Sequence, residues 1–148
     1  MQTVSMKVKK LDVRAKLPAY GSESAAGADL YALLDAPVSV APKATYVVST
    51  GIAAEIPEGF AGFIYARSGL ATKKGLAPAN KVGVIDSDYR GEIRVALYNH
   101  SDSVQTIEPF ERVAQFVVAP YVCAHFEETD TLSDTVRGEG GFGSTGSK

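Results

Sequence analysis

Apolar and polar residues alternate along this chain in short bursts, and no burst is long. The clearest is Glu92-Ile93-Arg94-Val95-Ala96-Leu97, which sets Ile93, Val95 and Leu97 on one face. Just before it, the apolar run Val82-Gly83-Val84-Ile85 breaks at Asp86-Ser87-Asp88-Tyr89-Arg90-Gly91. Together the two halves predict a β-hairpin with a polar tip. Similar bursts predict strands over 6–17, 28–33, 37–40, 46–50, 52–56, 60–66, 104–107 and 112–120. Between them lie turn residues such as Pro42, Gly51, Pro57-Glu58-Gly59 and the stretch 99–103.

The only helical signal in the first three-quarters of the chain is Arg67 to Gly75. Ser68 suits an N-cap, Lys73 and Lys74 suit the last turn, and Gly75 suits a stop. Many short strands, with a turn signal about every eight to twelve residues, predict an all-β sandwich or barrel. Residues 125–134 are acidic, and 137–148 are glycine-rich with no apolar period. The compositional break near residue 135 divides a β domain, 1–135, from a flexible arm, 136–148.

Composition narrows the classes. With 148 residues and 45% hydrophobic content, one domain can bury a sizeable core. A net charge of -2 gives no general attraction to nucleic acid or to an anionic membrane. Any anion site is therefore a local cluster of basic residues. No apolar run reaches membrane-spanning length, and Met1 to Met6 lacks the apolar core of a signal peptide. These features lead us to expect a soluble, cytoplasmic protein (nuclear as well if eukaryotic) with no membrane or nucleic-acid partner. Cys123 is the single cysteine, so there is no intrachain disulfide, and a buried apolar position is expected for it. His100 and His125 have no spacing partners for a metal site.

Several stretches carry candidate chemistry, each beside a plainer reading. Asp86 and Asp88 could supply a general base, or could form Asx turns at the tip. Gly83 weakens a strand unless something must come close. Arg67-Ser68-Gly69 suits phosphate, or is a simple cap with a surface arginine. Gln115 interrupts an apolar strand, either as a contact or as the solvent face of the alternation. Asp29 opens a strand, where a turn residue would also serve. Tyr31, Tyr46 and Tyr65 suit core or interface. Gly141 to Gly146 matches G-x-G-x-x-G, yet no helix follows, so the dinucleotide reading fails its context. Arg137 and Phe142 are more than a plain linker needs, and a lid over an anionic, flat-ringed ligand would use them.

Taken in order, Ala26-Gly27-Ala28-Asp29-Leu30-Tyr31, Arg67-Ser68-Gly69-Leu70-Ala71, Gly83 to Glu92, Arg112-Val113-Ala114-Gln115 and Arg137 to Gly146 resemble the five motifs of the trimeric dUTP diphosphatase family. The resemblance spans about residue 25 to 146 and implies a jelly-roll-like β-barrel subunit. It implies a homotrimer with shared active sites, across which the glycine-rich arm reaches a neighbour. It also implies hydrolysis of dUTP to dUMP and diphosphate with Mg²⁺, which keeps uracil out of DNA and supplies dUMP for dTMP synthesis.

By the same resemblance Asp86 is the water-activating carboxylate. Asn80 and the backbone at Gly83 and Ile85 form the uracil pocket, and Val84 and Arg94 join the substrate-contacting set. Tyr89 packs against deoxyribose. Arg67, Ser68, Gly69 and Gln115 match phosphate contacts, while Arg137, Phe142, Gly143, Ser144 and Thr145 match the closing arm. Asp29 matches a carboxylate that reaches magnesium through water. Asp88 and Arg90 are left as tip residues. The chain departs from the family at Ala66, where proline is usual before Arg-Ser-Gly. Two competing readings are a related-fold enzyme, a dCTP deaminase or the bifunctional deaminase–diphosphatase, and a nucleotide-sensing or protein-binding module that keeps the fold but not catalysis. The aromatic arm and the Asp86 hairpin argue against the first, and the presence of Asp86 with Arg67, Gln115 and Arg137 argues against the second.

Overall fold

A computed structural model describes residues 3–141. Among these residues the chain forms twelve strands and one helix, the all-β class that the alternation predicts. The strands are β1 (Lys7–Lys10), β2 (Ala19–Tyr20), β3 (Ala28–Tyr31), β4 (Val38–Val40), β5 (Thr45–Ser49) and β6 (Ile52–Glu55). They continue as β7 (Phe60–Tyr65), β8 (Leu76–Pro78), β9 (Gly83–Ile85), β10 (Arg94–Asn99), β11 (Gln105–Ile107) and β12 (Arg112–Pro120), with α1 (Ser68–Lys74) between β7 and β8. They pair as four sheets of a jelly-roll class rather than as one closed hydrogen-bonded barrel: β1-β6, β5-β10-β8, β11-β4 and β2-β3-β12-β7-β9.

The apolar faces of these strands meet in one core. Val95 and Leu97 of β10 point inward, as their spacing predicts, and Ile93 joins them. Phe116 of β12 packs there with Leu30, Ile52 and Leu76. The pairing of β12 with β3 slips between Arg112 and Ala114, a bulge that buries Val113 and Ala114 in succession. The bulge resets the alternation, so Phe116 is buried and Gln115 is turned away from the core.

Four expectations are corrected. The strand expected over 6–17 ends at Lys10. Asp12 ends it, because its carboxylate accepts the Arg14 backbone N–H at 2.8 Å and the guanidinium Nη2 at 2.7 Å. These bonds hold the Asp12 carboxyl well below its ordinary range, at about 2, with the side-chain bond the largest cause. Ser68 is not the N-cap: Arg67 is, with no side-chain cap bond, and Ser68 is the first helical residue. The stop is as expected, with Gly75 in the left-handed region at φ 67. Cys123 is exposed rather than buried, because it lies beyond Pro120 in a segment that has left the core.

The fourth correction is to the hairpin. Its two halves do not pair with each other. β9 pairs with β7 and closes one edge of the five-stranded sheet, whereas β10 pairs with β5 and β8. Alternation fixes which face of a strand is buried, but not which strand lies beside it. The segment 86–93 therefore crosses between two sheets, and a space opens where a hairpin ladder would have been.

Candidate active site

That space is a cleft of about 470 Å³. Asn80, Gly83, Val84, Ile85, Asp86, Tyr89 and Arg94 line it, all singled out from the sequence, along with Val47, Ile64, Pro78, Glu92, Ile93, Val95 and Ala96. Its position follows from the strand pairing. β9 has a neighbour on one side only, so its other edge carries backbone N–H and C=O groups free to meet a ligand. Asn80 is set by a tight turn in which Lys81 N–H donates to the Pro78 carbonyl at 3.0 Å and Val82 N–H to the Asn80 carbonyl at 2.7 Å. Lys81 has a positive φ of 66. Gly83 is needed for close approach: a Cβ there would lie 3.2 Å from Ile64 Cβ and 3.3 Å from Asn80 Nδ2. The approach is made first by the protein's own residues, which press Asn80 against β9.

Asp86 stands at the end of β9, exposed. Its carbonyl accepts the Tyr89 backbone N–H at 3.2 Å, which turns the chain. Its carboxylate, and that of Asp88, makes no hydrogen bond or ion pair among the described residues, so neither forms the Asx turn that was the plainer reading. The chain forms that turn at Asp12 instead. Arg90 closes the tip by donating to the Ser87 carbonyl at 2.6 Å. Tyr89 Oη donates to the Glu92 carbonyl at 2.9 Å, and Glu92 Oε1 accepts the Gly51 N–H at 2.8 Å.

The other candidates form a second cluster, on the β3-β12-β7 part of the large sheet. Asp29 is 5% exposed and accepts from Arg67 Nε at 2.7 Å and Arg112 Nη1 at 3.2 Å. Arg67 Nη1 also donates to the Arg112 carbonyl at 3.4 Å. Gln115 lies opposite Asp29 on one side and Tyr65 on the other. Ser68 and Gly69 lie exposed beside Arg67 at the start of α1. Lys74 at the far end of α1 holds the helix down, donating to Glu111 Oε1 at 2.6 Å and to the Thr106 carbonyl at 2.9 Å.

Within one chain, then, Asp86 and the cleft are one group and the arginine cluster is another, and no cluster residue lines the cleft. Arg137 is exposed and donates to the Gly140 carbonyl at 2.7 Å. Phe142, Gly143, Ser144 and Thr145 lie outside the described residues. Among the described residues no three His, Cys, Asp or Glu side chains converge to hold a metal. Sequence reasoning missed Arg112, the second partner of Asp29, and Glu92. Both sit inside motif stretches, but the signal that marks them is a contact from distant parts of the chain.

Comparison with known proteins agrees in kind. The dUTPase family model matches residues 13–146. A deoxyuridine 5′-triphosphate nucleotidohydrolase of Syntrophotalea carbinolica is 47% identical over 99% of both chains. One from Nautilia profundicola is 49% identical over 97% of this chain and 99% of its own. Among solved structures, the dUTPase of Staphylococcus bacteriophage 80alpha with dUPNHPP superposes with a TM-score of 0.88 at 28% identity, covering 97% of this chain and 99% of that one.

Proposed function

The chain belongs to the dUTPase family, and from that premise we propose that it hydrolyses dUTP to dUMP and diphosphate. The observation that carries the proposal is the unpaired Asp86 carboxylate at the rim of a cleft whose wall is an open strand edge. Uracil would lie against β9, where the backbone at Gly83 and Ile85 and the Asn80 amide meet its polar edge. Rigid backbone groups reject a base with the wrong donor pattern, because a buried polar group would be left unpaired. Tyr89 would pack against the deoxyribose, with Val84 and Arg94 completing the contacts.

Asp86 would act as general base. It takes a proton from water as the water oxygen bonds to the α-phosphorus. The bond from that phosphorus to the oxygen bridging to the β-phosphate breaks, and diphosphate leaves with the electron pair. Arg67, Ser68, Gly69 and Gln115 would hold phosphate oxygens. Arg67 is suited to this because Asp29 orients its guanidinium while leaving donors unused. Because these residues lie apart from the cleft of their own chain, we propose that a homotrimer completes each site. The arm, Arg137 with Phe142, Gly143, Ser144 and Thr145, would close over the nucleotide.

Magnesium is the proposed cofactor. The donor set suits an ion that arrives with the triphosphate and keeps its waters, since there is no protein cage among the described residues. Asp29 already serves two arginines, one on each oxygen, and would reach the ion only through water. Bound there, the ion would neutralise charge on the triphosphate. We assign the protein to the cytoplasm.

Diphosphate release measured on dUTP, dCTP, dTTP and UTP with magnesium tests this reading. Turnover is expected to be far faster on dUTP than on the other three, and ammonia from dCTP would point to a deaminase. Asp86→Asn should cut turnover by about 10²-fold or more while dUTP still binds. Near-normal turnover in that variant would falsify the general-base assignment.

A further inference from the structure

We propose that Gly91 is a specificity-determining position, because it supplies the empty space in which the Tyr89 ring lies. The proposal rests on the reading of Tyr89 as the residue that meets the sugar.

A Cβ on Gly91 would sit 2.4 Å from Tyr89 Oη, 2.5 Å from Cζ and 2.9 Å from Cε2. Carbon atoms in good contact lie roughly 3.5–4.0 Å apart. No residue with a side chain can therefore occupy position 91 while the ring stays where it is. Gly91 is not among the glycines with positive φ, so its backbone suits alanine. The ring has to move, and the chain does not. Tyr89 is 43% exposed, so the ring has solvent to move into and folding is spared.

Two bonds define the ring's position, and the one made by the hydroxyl would be lost. Tyr89 N–H donates to the Asp86 carbonyl at 3.2 Å, and Tyr89 Oη donates to the Glu92 carbonyl at 2.9 Å. The ring is thus tied to Asp86 through its backbone and to Glu92 through its hydroxyl. It lies folded over Gly91 and forms a wall of the cleft. A wall fixed at both ends can refuse a 2′-hydroxyl on steric grounds, whereas a ring free to swing cannot. Gly91 touches no substrate in this account; it is a positioning residue that acts through Tyr89.

The test is a double-mutant cycle on the full chain, reading kcat/KM for dUTP and for UTP by diphosphate release. Gly91→Ala is expected to lower the preference for dUTP over UTP by about tenfold or more, since displacements of this size cost up to roughly a hundredfold. In a Tyr89→Ala background the same change should alter the preference by less than about twofold, because no ring remains to displace. Unchanged preference in Gly91→Ala, or an equal loss in both backgrounds, overturns the proposal. Should Gly91→Ala fail to fold, adding Tyr89→Ala is expected to restore folding, because the nearest atoms that the new Cβ meets all belong to that side chain, and a double variant that also fails to fold overturns the proposal. A wild-type protein that hydrolyses dUTP without preferring it to UTP refutes the Tyr89 reading itself, which the unmutated control reveals separately.

Discussion

Residues of one type in this chain are sorted by what surrounds them. Asp12, Asp29 and Asp86 illustrate this. Asp12 is spent on a local turn with Arg14, and Asp86 has no partner among the described residues. Asp29 is buried between two guanidinium groups, and there the energy is large. Removing one partner of a buried pair costs about 3–5 kcal/mol, while an exposed pair such as Lys7–Glu55 contributes about 0–1 kcal/mol. Asp29→Ala is expected to lose about 1–3 kcal/mol in urea unfolding, below the full cost because the arginines left behind reach solvent, and Lys7→Ala almost nothing. Equal losses would mean that the Asp29 pair is no more desolvated than the surface one. The sequence flags Asp29 and Asp86 as turn or site residues and passes over Asp12, which it places inside a strand. What separates them is the partner, and Arg67 at the start of α1 and Arg112 on β12 lie 38 and 83 residues from Asp29, so local pattern alone cannot name it.

At the scale of elements, strand faces were legible and strand neighbours were not. Val95 and Leu97 are buried as their alternation requires, and Gly75 ends the helix as its conformational freedom requires. The hairpin failed because a six-residue burst contains no information on which edge it joins; β10 prefers β5 and β8, whose residues are distant in sequence. That failure is also what opens the cleft. Gly62 of β7 pairs with Ile85 of β9 through its backbone and turns its face to the core. A Cβ on Gly62 would meet Phe116 Cε2 at 2.4 Å and Ile56 Cδ1 at 3.0 Å. Phe116 is 2% exposed and cannot step aside as Tyr89 can. Gly62→Ala should therefore cost about 1–3 kcal/mol of stability, the usual range for overpacking, and lower activity through β9. A thermal melt equal to wild type would indicate that the core has slack at Phe116.

At the scale of the whole molecule, the chain leaves its own core well before it ends. Tyr121 N–H donates to the Gly59 carbonyl at 3.1 Å, and residues 121–139 are exposed on the single chain. They nonetheless carry Val122, Phe126, Leu132 and Val136, which are 94%, 91%, 87% and 110% exposed. Apolar side chains spaced along such a segment gain nothing in water, and in the proposed homotrimer a second copy of the chain would cover them. The glycine-rich stretch from Arg137 onward carries a different composition and, in the proposed function, a different task. Two truncations separate them. A chain ending at Val136 keeps the apolar segment and should remain a folded trimer by sedimentation, with diphosphate release from dUTP falling by about 10²-fold or more for want of the closing arm. A chain ending at Tyr121 loses both, and should lose the trimer as well as the activity. Monomers from the chain that ends at Val136 would make the arm part of the assembly rather than a lid. A trimer from the chain that ends at Tyr121 would place the subunit contact on the sheets themselves.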